Sequence, residues 1–144
     1  MKTIQQVSVF LENRSGQLAE ITKVLSKENI NLRALNIAET ADYGLLRLIP
    51  DDPRRAANIL MENSFLVTLN PVVAISVKDQ PGGLCAVLSV IADAGISVDY
   101  MYSIFNSDND KAYMIFRVSD PSRLEAIAEA EGIELAEKST LGIV

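Results

Sequence analysis

Val7, Val9 and Leu11 alternate with less apolar neighbours, the period of a strand with one covered face, and Leu18, Ile21, Val24 and Leu25 then recur at helical spacing. The change of period falls across Asn13-Arg14-Ser15-Gly16-Gln17-Leu18. Apolar positions predict a second strand over 30–38 and a third over 44–49, a helix opened by Asp52-Pro53, and a fourth strand around 65–70. The same order then starts again. Val73, Ile75 and Val77 alternate; Leu84, Val87, Leu88 and Ile91 have helical spacing; strands are expected over 96–105 and 111–118, a helix after Asp120-Pro121, and a last strand around 134–143. Asn29 and Gly95 occupy equivalent places just past the first helix of each copy, where a left-handed residue ends a helix. Asp52 and Asp120 are placed to cap a helix whose first residue is proline.

The copies superpose in register, which tests a repeat before any fold is assigned. A shift of 66 aligns Gly16 with Gly82, Leu18 with Leu84, Ile21 with Val87, Val24 with Val90 and Leu25 with Ile91. Beyond the second strand the shift is 68, so copy two has two extra residues in its hairpin around Asn106-Ser107-Asp108-Asn109. Each copy reads strand, helix, strand, strand, helix, strand. That order predicts an α+β fold of two ferredoxin-like βαββαβ units, 1–70 and 71–144, each with a four-stranded antiparallel sheet in the order 4-1-3-2 and both helices on one face. The antiparallel sheets are expected to pair edge to edge through their second strands, as one eight-stranded sheet. Leu46, Leu48, Tyr113 and Ile115 put apolar side chains on both sheet faces, which predicts a homodimer or larger assembly covering the second face.

Composition narrows the function. Of the 144 residues 49% are hydrophobic and 22% charged, the balance of a chain with a core. The first 71 residues carry eight basic and eight acidic side chains and the rest five and eleven, so the net charge of −6 lies wholly in copy two. Nucleic acid and anionic membranes, both of which need clustered Lys and Arg, are therefore not expected partners. No apolar run is long enough to span a bilayer, no signal-peptide core follows Met1, and a cytoplasmic location is expected. Histidine is absent and Cys85 is the single cysteine, expected as a small core residue. Without His, a Cys cluster or a nucleotide-binding glycine motif, neither an enzyme, a metal site nor a cofactor is predicted.

A duplicated βαββαβ unit whose first turn reads Asn13-Arg14-Ser15-Gly16-Gln17-Leu18, with Asp79-Gln80-Pro81-Gly82-Gly83-Leu84 supplying a Pro-Gly in copy two, resembles the ACT domain over nearly the whole chain. The resemblance implies a regulatory module that binds a free amino acid between two units, at the turn after strand one. If the second strands paired antiparallel, the start of each would lie beside the other unit's turn. One site would then join Asn13, Arg14, Ser15, Gly16, Gln17 and Leu18 to Ser97, Val98, Asp99 and Tyr100. The other would join Asp79, Gln80, Pro81, Gly82, Gly83 and Leu84 to Asn31, Leu32, Arg33 and Ala34. The second is favoured, with Arg33 and the N–H groups after Pro81 for a carboxylate and Asp79 for an ammonium group. Simpler roles stand beside these: tight turns for the glycines, helix caps for Asn13 and Asp79, edge charges for Arg33 and Asp99, packing for Tyr100, Met101 and Tyr102. The alternative function is a regulatory subunit that docks on an amino-acid biosynthetic enzyme such as acetolactate synthase. An RNA-binding sheet is disfavoured by the charge and by the lack of a basic-aromatic strand motif.

Overall fold

The element order is β1 (Ile4–Leu11), α1 (Gln17–Lys27), β2 (Leu32–Glu39), β3 (Gly44–Pro50), α2 (Pro53–Glu62), β4 (Val67–Lys78), α3 (Gly83–Asp93), β5 (Val98–Ser103), β6 (Lys111–Val118) and α4 (Pro121–Glu131), followed by a 3-10 turn at Ser139–Leu141. The computed structural model describes residues 2–12, 14–39, 43–105 and 111–144; Asn13 and the hairpin around 106–109 lie outside them. Two compact units divide the chain, Gln5–Asn70 with Gly142–Val144 and Pro71–Leu141 with Met1–Ile4, so each copy is grouped with a short terminal segment of the other.

Both units are built by the same local rules. Asn29 and Gly95 take positive φ, 57° and 71°, and end the first helix of each copy as expected. Asp52 accepts from the Arg55 N–H at 3.2 Å and Asp120 from the Arg123 N–H at 3.0 Å, each with proline at the start of the helix. The repeat extends to single backbone bonds: Asp51 N–H to Asn31 O at 2.8 Å matches Ser119 N–H to Ser97 O at 3.0 Å, and Phe10 N–H to Leu66 O at 3.1 Å matches Ser76 N–H to Glu134 O at 2.9 Å. In the copy-one unit Val7, Val9, Leu46 and Leu48 pack with Ile21, Leu25, Ala56 and Leu60; in the copy-two unit Val73, Ile75, Phe116 and Val118 pack with Val87, Ile91, Leu124 and Ala128. Fully burying such a side chain contributes about 1.5–3 kcal/mol, so these two helix-on-sheet layers hold the units together.

Several expectations need correction. The strands are hydrogen-bonded in the order β2-β3-β1-β4-β6-β5, six among the described residues, and β2 and β5 stand at its two ends where an eight-stranded sheet required them to pair. The reason lies in β4. The last strand of copy one runs without a turn into the first strand of copy two, as one twelve-residue strand through Asn70-Pro71, which pairs with β6 over Val73 to Lys78. Copy two's own last strand, expected around 134–143, is reduced to a bridge between Ile75 and Leu135. After it the backbone coils through Leu141 N–H to Lys138 O, and Gly142 takes a positive φ of 71°. Tyr113 and Ile115, with Leu46 and Leu48, are all 3% exposed or less within one chain, so the uncovered second face inferred from them does not exist. Cys85 is exposed: it faces away from Val87 and Ile91, its Sγ 3.9 Å from Ser89 Oγ.

Candidate functional site

Each copy turns from strand to helix on a left-handed glycine, Gly16 with φ 82° and Gly82 with φ 85°, and among the described residues neither helix has a side-chain cap at that position. A cap by Asp79 is therefore not made. At the copy-two turn Gln80 N–H bonds to Lys78 O at 2.9 Å, Gly83 N–H to Gln80 O at 3.0 Å and Ala86 N–H to Gly82 O at 3.0 Å. The next donors of the helix, Leu84 and Cys85 N–H, belong to the first turn, whose N–H groups have no partner within a helix. Space over Gly82 is open, since a Cβ there would meet nothing within 4 Å. Gly83 has a further constraint: a Cβ there would collide with the Lys78 carbonyl, so the turn itself requires its small size.

The copy-one turn is built from side chains. Gln17, 5% exposed, accepts the Glu12 N–H on Oε1 at 2.7 Å and closes the turn from the helix side. Arg14 reaches Glu20 at 2.9 Å and Glu12 at 3.3 Å, and these partners, the Glu20 hydrogen bond foremost, raise its pKa above the ordinary arginine value. A cavity of about 530 Å³ opens beside it, lined by Phe10, Glu12, Arg14, Gln17, Glu20 and Tyr43 and, from the segment after α2, by Asn63, Ser64, Phe65 and Leu66. Phe10 and Tyr43 meet with ring centroids 5.6 Å apart. The aromatic lining was not singled out from the sequence. The available signal was a mismatch between copies, aromatic in one and polar in the other at aligned positions.

The second-strand residues divide sharply. Asn31 is pinched by Asp51, whose Oδ1 accepts the Asn31 N–H at 3.2 Å, and Ser97 by Ser119, whose Oγ accepts the Ser97 N–H at 3.0 Å. Leu32 and Val98 pack on the two cores and Ala34 is fully buried. Arg33 and Asp99, equivalent in the repeat, are the extra residues of matching β-bulges, between Leu32 and Ala34 on β2 and between Val98 and Tyr100 on β5. A bulge re-aims the side chain it carries. Arg33 Nε lies 3.9 Å from where a Cβ of Gly142 would stand. Tyr100 stacks on Tyr102, which is 7% exposed. The ladder expected to bring these segments to the turns is not formed, because β2 and β5 end the strand order. Among the described residues no cluster of His, Cys, Asp or Glu has the geometry to hold a metal, and no helix is long and apolar enough to cross a membrane.

Comparison with known proteins agrees with this architecture. Protein BT0572 from Bacteroides thetaiotaomicron is similar at 40% identity, with 99% of this chain and 98% of that one covered and a TM-score of 0.91. The ligand-free regulatory subunit of aspartate kinase from Thermus thermophilus shares the fold at 13% identity and a TM-score of 0.67, over 89% of this chain and 90% of that one. The corresponding subunit from Thermus flavus does so at 14% identity and a TM-score of 0.58, over 88% and 92%. No curated protein matches the chain. The model of the ACT domain pair matches residues 2–142, and the chain belongs to that family.

Proposed function

We propose that this ACT pair is a regulatory module that binds a free amino acid at the copy-two turn and passes the binding on as a change in stability or association. The observation that carries the reading is the uncapped helix at Gly82, a left-handed glycine with open space above it and first-turn N–H groups directed out of the helix. Such a terminus favours a carboxylate by both its donors and its dipole, and Asp79 on the same turn is an acceptor for an ammonium group. Arg33, expected as a second cation, stands on the end strand β2, which is not paired with β5, so the turn's own groups carry the reading. A thermal-shift screen of the twenty amino acids tests the reading, because a ligand specific to the folded state raises apparent stability. Titration calorimetry on Asp79→Asn and Gly82→Val then tests the site. The expected loss is roughly tenfold to a hundredfold for Asp79→Asn; unchanged affinity in both folded variants would exclude it.

A second reading, docking on a biosynthetic enzyme, is favoured by the β2 edge, where Leu35 and Ile37 are 41% and 45% exposed. Two shape-sharing neighbours, both aspartate kinase regulatory subunits, suggest the kind of enzyme to try. Ile37→Lys should then abolish co-purification with that enzyme while leaving amino-acid binding intact.

A further inference from the structure

An end strand exposes unpaired backbone groups, and proteins blunt such an edge with a bulge or cover it with another piece of chain. Both end strands here carry the bulge, at Arg33 on β2 and at Asp99 on β5. The β2 edge has a cover as well. Arg33 is half-buried where its equivalent Asp99 is exposed, and Gly142 lies against it, the place of a Cβ on that glycine being 3.9 Å from Arg33 Nε. Two residues on, Val144 N–H bonds to Asp51 O at 2.8 Å. Asp51 is itself tied twice to Asn31, by its N–H to Asn31 O at 2.8 Å and by its Oδ1, which accepts the Asn31 N–H at 3.2 Å. Asn31 leads into β2, so Gly142–Val144 lies across the start of that strand.

The attachment is slight. Ile143, 4% exposed, is the buried side chain of the segment, and Gly142 and Val144 on either side of it are exposed. Before them Leu141 is buried and groups with the copy-two unit, so the grouping of the chain changes at Gly142. Gly142 has a φ of 71°, and a glycine leaves that conformation at little steric cost. One apolar anchor and one hydrogen bond beyond a glycine hold far less than the core of a unit does, and a segment so held opens locally while the rest stays folded. We propose that Gly142–Val144 is a releasable strap, hinged at Gly142, that closes the start of β2 and is displaced when this edge pairs with a second copy of the chain. The edge is complementary to itself. In an antiparallel pairing centred on Asn36, Leu35 meets Ile37 of the second copy and Arg33 comes beside its Glu39. With the strap in place Arg33 lies against Gly142, so only the open fraction of molecules can pair, and the strap lowers the apparent affinity by that fraction.

Two measurements on the full chain test the strap. In a Cys85→Ser background, the thiol introduced by Ile143→Cys should react with a labelling reagent at least about a hundredfold faster than one introduced by Leu60→Cys in the copy-one core. Its rate should not change with low urea, because local opening exposes little surface. By sedimentation, Ile143→Ser, which removes the apolar anchor, should tighten the dimer about tenfold or more, and adding Glu39→Lys should reverse that gain. Labelling at 143 that follows labelling at 60 as urea rises would overturn the inference, as would an Ile143→Ser dimer no tighter than that of the unaltered chain. The labelling does not use the serine variant, so it decides the matter even if that variant fails to fold.

Discussion

At the two strand-to-helix turns, equivalent glycines and their neighbours serve different physical ends. Gly16 and Gly82 have positive φ and open space, so alanine at either should cost only the left-handed penalty, about 1–2 kcal/mol in urea unfolding. Gly83→Ala should cost more than either, because its Cβ would meet the Lys78 carbonyl and the turn would have to open. Ser64→Gly should stabilise by up to about 1 kcal/mol, relief of the strain at φ 68° being partly offset by backbone entropy. The left-handed roles of Asn29 and Gly95 were legible in the sequence because they follow from position after a helix. The burial of Gln17 was not. Its place in the turn motif marked it as a ligand contact, and only the path of the chain showed that its carboxamide closes the turn onto Glu12.

The elements themselves were written in the periodicity, and their ends in capping residues. Asp52→Ala and Asp120→Ala should each cost about 0.5–2 kcal/mol, measured by chemical denaturation, because each carboxylate accepts one first-turn N–H. What periodicity did not show was that two strands separated by Asn70-Pro71 would run on as one. Proline is disfavoured inside a sheet where its N–H would be needed in a ladder, and it read as a boundary. The bulges at Arg33 and Asp99 were equally invisible, since an extra residue in one strand appears only once its partner's register is known.

For the whole chain the terminal segments matter most. Gly142–Val144 is grouped with the copy-one unit, where Val144 N–H bonds to Asp51 O at 2.8 Å and Ile143 is 4% exposed. Deleting these three residues should destabilise by about 2–4.5 kcal/mol, the burial of one isoleucine and a net hydrogen bond, and hydrogen exchange should report the loss in residues 5–70. The end strand β2, with Leu35 and Ile37 exposed, is the edge at which self-association is expected. Sedimentation should show a concentration-dependent dimer that Ile37→Lys shifts toward monomer; a monomer at all concentrations would reject it.

The sequence by itself determined the duplicated βαββαβ order, the helix caps and stops, and the two apolar cores, because each depends on interactions within a few residues or on a period that one covered face imposes. Tertiary structure alone decided which strands became neighbours, which apolar residues of β6 were covered, and which side chains came to surround a cavity in copy one. Those outcomes depend on contacts between residues tens of positions apart, where many pairings satisfy the same local pattern and only the packed chain selects among them.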